Sequence, residues 1–199
     1  MRDKYGAGQD SYCYPGSDTL RNRLGITDPD LLEQAEREIS ALEAQSIEFR
    51  EPPYDLVYLQ ALHRKLFGEL YAWAGKIRTI DISKQQTRFC TVPRIVPEAE
   101  KIFSGLSRQN YWVGLPRPDL VAETAKAYAD LNMIHPFREG NGRAQRVLFE
   151  HMIVNCGYAI GWDSITQDEW LTANIAGVYC DYGPMTALFE RCIGEPLTE

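Results

Sequence analysis

The residues best suited to chemistry lie together at positions 135–146, which read HPFREGNGRAQR. His135 is a base that titrates near neutral pH and can therefore accept a proton. Glu139 offers hard oxygen ligands of the kind that magnesium binds, usually together with the phosphates of a substrate. A base and a metal ligand within five residues indicate phosphate chemistry.

The second half of this stretch predicts an anion-binding turn at the start of a helix. Gly140 and Gly142 flank Asn141 and permit a backbone in which several N–H groups converge on an anion. The apolar pattern that follows predicts a helix from about Gly142, and its N-terminus would face the same anion. Arg143 and Arg146 are three residues apart, so they would share a helix face and could both donate to phosphate oxygens. The simpler alternative is an Asn-Gly turn followed by solvated arginines.

The same twelve residues resemble the Fic family signature, His-x-Phe-x-(Asp/Glu)-Gly-Asn-Gly-Arg-x-x-Arg, at every defined position. The resemblance implies a mainly α, Fic-type helical domain that transfers AMP from ATP to a hydroxyl group of a target protein. It implies that His135 is the base and that Glu139 holds the magnesium ion. The positions that it implies for phosphate binding are Gly140, Asn141, Gly142, Arg143 and Arg146.

Two further segments resemble the same family. Residues 62–67 (LHRKLF) and 71–78 (YAWAGKIR) look like the part of a Fic domain that precedes its β-hairpin. The second strand of that hairpin, at about 87–92, corresponds to the family's flap, which is thought to hold the target by backbone pairing. The flap residues are Thr87, Arg88, Phe89 and Cys90. The resemblance covers roughly residues 54–195.

Residues 14–17 (YPGS) and 21–25 (RNRLG) also resemble the start of small bacterial stand-alone Fic toxins. Fic proteins are commonly restrained by a helix with the pattern (Ser/Thr)-x-x-x-Glu-(Gly/Asn), whose glutamate pairs with the second signature arginine, here Arg146. Only Thr186 to Glu190 has this spacing, and Arg191 follows it. We therefore predict that a separate antitoxin supplies the glutamate. The resemblance names DNA gyrase and topoisomerase IV as candidate targets.

Hydrophobic periodicity predicts a mainly α fold with one small hairpin, whose strands are residues 78–82 and 88–92. An irregular arm, anchored by Tyr5, Tyr12, Tyr14 and Leu20, precedes a helix that Thr27 caps. We assign residues 1–53 to this arm and helix, packed on the core, and residues 54–195 to the Fic domain. That first helix presents a stripe through Leu32, Ala35, Ile39, Leu42 and Ser46 and ends before Pro52. The other predicted helices span about 56–72, 97–106, 119–134, from 142 onward, 167–177 and 183–193.

Composition limits the possible partners and compartment. The net charge of −7 disfavours broad binding to nucleic acid or to an anionic membrane, so a phosphate ligand needs a local basic pocket. Arg138, Arg143 and Arg146 could supply that pocket. No apolar stretch reaches the length of a membrane span, and the N-terminus lacks the apolar core of a secretory signal. Five cysteines without a Cys-x-x-Cys pair indicate reduced thiols and a cytoplasmic protein.

Other functions remain open at this point. Family members with lysine in place of the second glycine of the turn phosphorylate their targets, and Gly142 disfavours that reaction here. A donor such as UTP stays possible, because the signature binds phosphates and not the base. A non-catalytic Fic-fold binding protein would have no need of His135 or Glu139. Phe137 is expected to anchor the loop in the core, and His63 to be a packed or surface residue.

Overall fold

The computed structural model describes residues 10–84 and 86–197, so the predicted anchor Tyr5 and the hairpin residue Gln85 lie outside the described residues. The mainly α class is confirmed. The described helices are α1 (Pro29–Gln45), α2 (Leu56–Phe67), α3 (Val92–Arg108), α4 (Arg117–Ile134), α5 (Asn141–Asn155), α6 (Gln167–Val178) and α7 (Gly183–Cys192). The strands are β1 (Ser83–Lys84), β2 (Thr87–Arg88), β3 (Tyr158–Ile160) and β4 (Ile193–Pro196), and a 3-10 turn covers Asn110–Trp112.

Helix α5 is central to the core, as its apolar pattern predicted. It packs against α2 and α4, while α4 and α6 pack against α7. Its inward face is buried and consists of Ala144, Val147, Leu148, Met152 and Ile153. Burial of such a face stabilises the fold by about 1.5–3 kcal/mol for each large apolar side chain. The helix that carries the signature is thus held on several sides. In the described part of the chain, no helix is long and apolar enough to cross a membrane.

The N-terminal region differs from the prediction in two details. Asp28, not Thr27, caps α1, because its carboxylate accepts hydrogen bonds from the amides of Asp30 and Leu31, each at 2.9 Å. Leu42 was expected inside but its side chain is 66% exposed. The contact of α1 with α2 is instead partly polar, for example between Lys65 and Glu43 at 2.6 Å.

The predicted hairpin exists but is shorter than expected. Among the described residues, the strands pair at Ser83↔Arg88 and Lys84↔Thr87, and residues 78–82 are not a strand. The chain enters α3 at Val92, so the predicted helix start at Pro97 is wrong. Pro93 lies in the first turn of α3, where a missing N–H costs nothing, and Pro97 lies inside the helix.

A second small sheet was missed. Strand β3 follows α5 and pairs antiparallel with β4 after α7, with Tyr158 opposite Pro196 and Ile160 opposite Ile193. Helix α2 also ends at Phe67, earlier than the predicted residue 72. The last two helices match the prediction closely, and the capping box between Thr166 and Glu169 is present.

Candidate active site

A tight loop between α4 and α5 carries the signature residues. His135 ends α4 in the left-handed conformation (φ 46°, ψ 61°), and Gly140 begins α5 with φ 77°. Asn141 closes the loop: its side-chain oxygen accepts from the Phe137 amide at 2.8 Å, and its Nδ2 donates to the Phe137 carbonyl at 2.9 Å. Phe137 is fully buried, as predicted. These two bonds let the Asn141 side chain shape the loop, and its contact with phosphate stays a prediction.

His135 is held in one tautomer. Its Nδ1 lies 3.0 Å from the carbonyl oxygen of Asn132, and a carbonyl can only accept, so Nδ1 carries the proton. Nε2 is therefore left with its lone pair and can accept a proton. Burial of the ring, under the aromatic face of Phe89, lowers the pKa of His135 to about 4. The imidazole is neutral at pH 7, which a general base requires.

Glu139 is positioned by its own neighbour. Its Oε1 accepts a hydrogen bond from the Gly140 amide at 2.9 Å. Among the described residues, no three His, Cys, Asp or Glu side chains are grouped so as to hold a metal ion. Magnesium binds through one or two carboxylates plus substrate phosphates. The donor set therefore fits a magnesium ion that arrives with a nucleotide, held on the protein by Glu139.

The start of α5 is open and carries no side-chain cap. No side chain caps this N-terminus, and the first amides of any helix lack an intrahelical acceptor. A Cβ on Gly140 would lie 2.4 Å from the ring of Phe67, so only glycine fits there. A Cβ on Gly142 would meet no described atom within 4 Å, which leaves the approach to the helix open.

The two signature arginines lie in different surroundings. Arg143 forms an ion pair with Glu36 of α1, donates to the hydroxyl of Ser40 at 3.1 Å and covers the ring of Phe67 at 4.7 Å. Arg146 is half-buried and makes no ion pair within the described chain. The two guanidinium groups are thus not equivalent, and Arg146 is the one available to an incoming anion.

Arg138, expected in the basic pocket, is instead a structural cation. Its Nη2 and Nε lie 2.7 Å and 2.8 Å from one carboxylate oxygen of Asp10 in the N-terminal arm. Both side chains are almost entirely buried. The arm is also attached through Tyr12, whose ring packs edge-on against Trp73, and through the buried Leu20, as predicted.

Arg78 supports the site, although the sequence analysis assigned it no role of its own. Its guanidinium is 1% exposed and donates to the carbonyl oxygens of His135 at 2.8 Å, Ile80 at 2.7 Å and Ile134 at 3.4 Å. It also donates to the carbonyl of Cys90. The buried guanidinium group of Arg78 therefore links the backbone at His135 to the segment that carries the hairpin. A GKIR string before a hairpin is the only signal that pointed towards it.

Comparison with known proteins decides the family. A sequence profile described as Fic/DOC family matches residues 53–153. The chain belongs to the Fic/DOC family. It is 40% identical over 195 residues to the "Probable protein adenylyltransferase Fic" of Salmonella typhimurium, with 98% of each chain covered. It is 37% identical to the protein of the same name from Escherichia coli K12, again with 98% of each chain covered. The family and these relatives identify the chain as a nucleotidyltransferase.

Solved structures agree with this assignment. The BepC protein of Bartonella tribocorum, solved with bound AMPPNP, superposes with a TM-score of 0.86 at 29% identity, covering 94% of this chain and 97% of that one. An N-terminal Fic domain from Bartonella quintana, solved with bound ADP, gives a TM-score of 0.86 at 30% identity, covering 94% and 95%. The predicted Fic-type helical fold is confirmed.

The segment predicted as the flap lies directly over His135. Phe89 is buried against His135, the Cys90 amide donates to the Met133 carbonyl at 3.0 Å, and Arg88 projects outward with a largely exposed side chain. Thr87 pairs with Lys84 in the hairpin. A cavity of about 430 Å³ opens beside this segment, between the flap, α3 and α4. The placement leaves Arg88 and the hairpin edge facing outward.

Thr186 and Glu190 bind partners other than Arg146 in this structure. Glu190 pairs with Arg117 of α4, and that arginine also donates to the carbonyls of Glu190 at 2.8 Å and Ile193 at 2.6 Å. The Thr186 hydroxyl bonds to the carbonyl of Tyr182 within its own helix. Neither residue contacts Arg146.

Proposed function

We propose that this chain transfers AMP from ATP to a hydroxyl group of a target protein. The observation that carries the proposal is the tautomer of His135, whose Nδ1 proton is fixed by the Asn132 carbonyl. This leaves Nε2 as a neutral proton acceptor close to the start of α5. The names of the relatives in Salmonella typhimurium and Escherichia coli support the same reaction.

The reaction is a displacement at phosphorus. The target hydroxyl oxygen bonds to the α-phosphorus of ATP, the bond from that phosphorus to the β-phosphate bridging oxygen breaks, and pyrophosphate leaves. His135 Nε2 takes the hydroxyl proton as the new bond forms. General-base assistance of this kind contributes about 10²–10⁴-fold in rate.

The phosphates are proposed to lie at the N-terminus of α5. The amides of Asn141 and Gly142 provide donors, the open space over Gly142 allows close approach, and Arg146 contacts the outer phosphates. Magnesium, when bound with the nucleotide at Glu139, supplies positive charge that neutralises the phosphates. Arg143 supports this arrangement from its position against Glu36 rather than by direct contact.

The target and the inhibitor are proposed to be separate proteins. The outward-facing hairpin and the cavity beside it support docking of a target segment along Thr87, Arg88, Phe89 and Cys90. No described residue forms an ion pair with Arg146, and Glu190 is committed to Arg117; both observations support an inhibitory glutamate supplied by an antitoxin chain. Subunits of DNA gyrase and topoisomerase IV are the candidate targets, and the five free thiols support the cytoplasm as the compartment.

Labelled nucleotides test the proposal. The protein is incubated with a bacterial lysate and ATP that is labelled on either the α- or the γ-phosphate. We expect a labelled protein band from α-labelled ATP alone, because AMP is transferred and pyrophosphate leaves. A band from γ-labelled ATP would mean phosphorylation. In a parallel incubation with α-labelled UTP, a band from UTP and none from ATP would mean another nucleotide donor.

The matched variant is His135→Asn, which tolerates the left-handed backbone conformation better than most residues. It should keep the thermal unfolding midpoint and lose transfer by at least about 100-fold. Undiminished labelling by this variant would remove His135 from the role of base.

A second comparison addresses control. Expression of the parent chain alone should arrest growth, and Glu190→Gly should leave transfer activity unchanged, because Glu190 is tied to Arg117. A harmless parent that Glu190→Gly activates would instead establish self-inhibition.

A further inference from the structure

His63 of α2 is a buried histidine whose two ring nitrogens are both used. Its side chain is 0% exposed. The Gly75 amide donates to Nδ1 at 2.9 Å, and Nε2 lies 2.8 Å from the carbonyl oxygen of Glu139. An amide N–H can only donate and a carbonyl can only accept, so the ring is neutral and carries its proton on Nε2.

The ring of His63 has little freedom to move. It stacks on Phe137 with ring centroids 3.9 Å apart and planes at 28°, and it contacts Phe67 at 4.8 Å between centroids. Burial lowers the pKa of His63 to about 4, so the ring keeps this neutral tautomer at pH 7. Aromatic contacts and two hydrogen bonds therefore fix the position of the Nε2 donor.

The bond from His63 acts on a single peptide unit. The carbonyl of Glu139 and the amide of Gly140 belong to the same planar group and point in opposite directions. His63 holds the carbonyl at 2.8 Å, and the amide on the other side donates to the Glu139 carboxylate at 2.9 Å. Fixing the Glu139 carbonyl therefore also fixes the Gly140 N–H, which orients the Glu139 carboxylate.

We propose that His63 is a positioning residue for the proposed adenylyl transfer. It orients the Glu139 carboxylate through the Glu139–Gly140 peptide plane. This inference rests on the proposed function for its catalytic consequence. Its structural content is separate: loss of the His63 donor lets that peptide rotate, and Glu139 then presents its oxygens poorly to magnesium. Partners that orient a metal ligand in this way typically change metal affinity or activity by about 10–100-fold when they are lost.

Two conservative variants separate positioning from packing. In His63→Gln the side-chain amide nitrogen can reach the former Nε2 position and donate to the Glu139 carbonyl. In His63→Asn the amide oxygen can take the former Nδ1 position and accept from Gly75, but no donor reaches Glu139. Both variants lose the ring that stacks on Phe137, so each serves as the packing control for the other.

We expect both variants to lower the thermal unfolding midpoint by similar amounts. The magnesium concentration that half-saturates ATP binding should rise about 10–100-fold in His63→Asn and change little in His63→Gln. The turnover number should follow the same order, while ATP binding without magnesium should differ little between the two. Equal magnesium dependence in the two variants would make His63 an ordinary core residue and overturn the proposal.

Imidazole ¹⁵N spectra of the parent protein give a test that needs no variant. The spectra should show the Nε2–H tautomer for His63. Addition of magnesium and ATP should shift the His63 Nε2 signal, because Nε2 donates to the carbonyl of Glu139, the proposed magnesium ligand. A His63 signal that ignores magnesium and ATP would overturn the proposal even if neither variant folds. If the parent protein binds magnesium and ATP but transfers no AMP, the proposed function is contradicted. The magnesium-binding measurements then still decide the role of His63.

Discussion

Phe89 lies face to face on His135, with ring centroids 3.8 Å apart and ring planes at 15°. Phe89 belongs to the segment predicted as the flap, 46 positions earlier in the chain, and thus covers the proposed base. Phe89 is among the predicted flap residues. In the structure it buries the imidazole, and that contact connects the state of the flap with the basicity of His135.

Removal of this cover should make His135 easier to protonate. Phe89→Ala exposes the ring to water, so its pKa should rise from about 4 towards the ordinary value of 6.5, whereas Phe89→Leu keeps an apolar cover and should change it less. At pH 5.5 a base of pKa 6.5 is only about one tenth unprotonated. NMR titration of the imidazole and the acid limb of the rate profile both measure this effect. Identical titration of His135 in the parent and Phe89→Ala would show that Phe89 does not control the base.

Two glycines of the signature should respond differently to the same added methyl group. Gly140→Ala places a Cβ 2.4 Å from the Phe67 ring at a φ of 77°, so the loop must shift and both stability and activity should fall. Gly142→Ala meets no described atom within 4 Å and improves helix propensity, so its unfolding midpoint should hold or rise. Its affinity for ATP should nevertheless fall, because the methyl group occupies the space through which a phosphate approaches. Unchanged ATP affinity in Gly142→Ala would place the phosphates elsewhere.

Arg78 should be among the most sensitive positions for stability. Arg78→Met leaves several buried carbonyl groups without a donor, and each unsatisfied group costs about 1–3 kcal/mol. We expect a loss of about 3–5 kcal/mol in the free energy of unfolding, with Arg78→Lys in between, because an ammonium group still offers three donors. Denaturant titration measures both values. A loss below about 1 kcal/mol for Arg78→Met would mean that the carbonyls find other partners.

Stability should fall as the pH drops from 6.5 towards 4. The pKa of His63 is depressed to about 4 in the folded state, so the unfolded chain binds the proton first and folding stability is lost through this window. The contribution of His63 to stability is fully present well above pH 6.5, and about 1.4 kcal/mol of it is lost at pH 5.5. The pH dependence of the unfolding free energy should be flatter in His63→Gln than in the parent. Parallel curves for the two proteins would contradict the depressed pKa.

Sequence reasoning succeeded where the information is local or periodic. The apolar face of α5 and the bounds of α6 and α7 follow from local sequence patterns, and the structure matches them. The signature also places a base, a carboxylate and a helix N-terminus in one loop without reference to any other part of the chain. These features depend on residues within a few turns of one another.

The missed features depend on contacts between distant segments. Strands β3 and β4 are three and four residues long and more than 30 positions apart, so neither carries a periodic pattern of its own. The roles of Arg78 and His63 rest on carbonyl groups that lie 57 and 76 positions away. Side-chain bonds to a distant backbone leave no mark on the acceptor residue, because every residue type has the same carbonyl group. The exposure of Leu42 likewise depends on which face of α1 meets α2.

The buried pair of Asp10 and Arg138 has a practical consequence for dissecting the protein. The profile match of the family begins at residue 53, so a fragment cut at that boundary would seem to be the minimal enzyme. Such a fragment would lack the carboxylate that neutralises Arg138 in the interior, next to Glu139 and three positions from His135. The smallest fragment that keeps the native signature loop therefore has to start at or before residue 10.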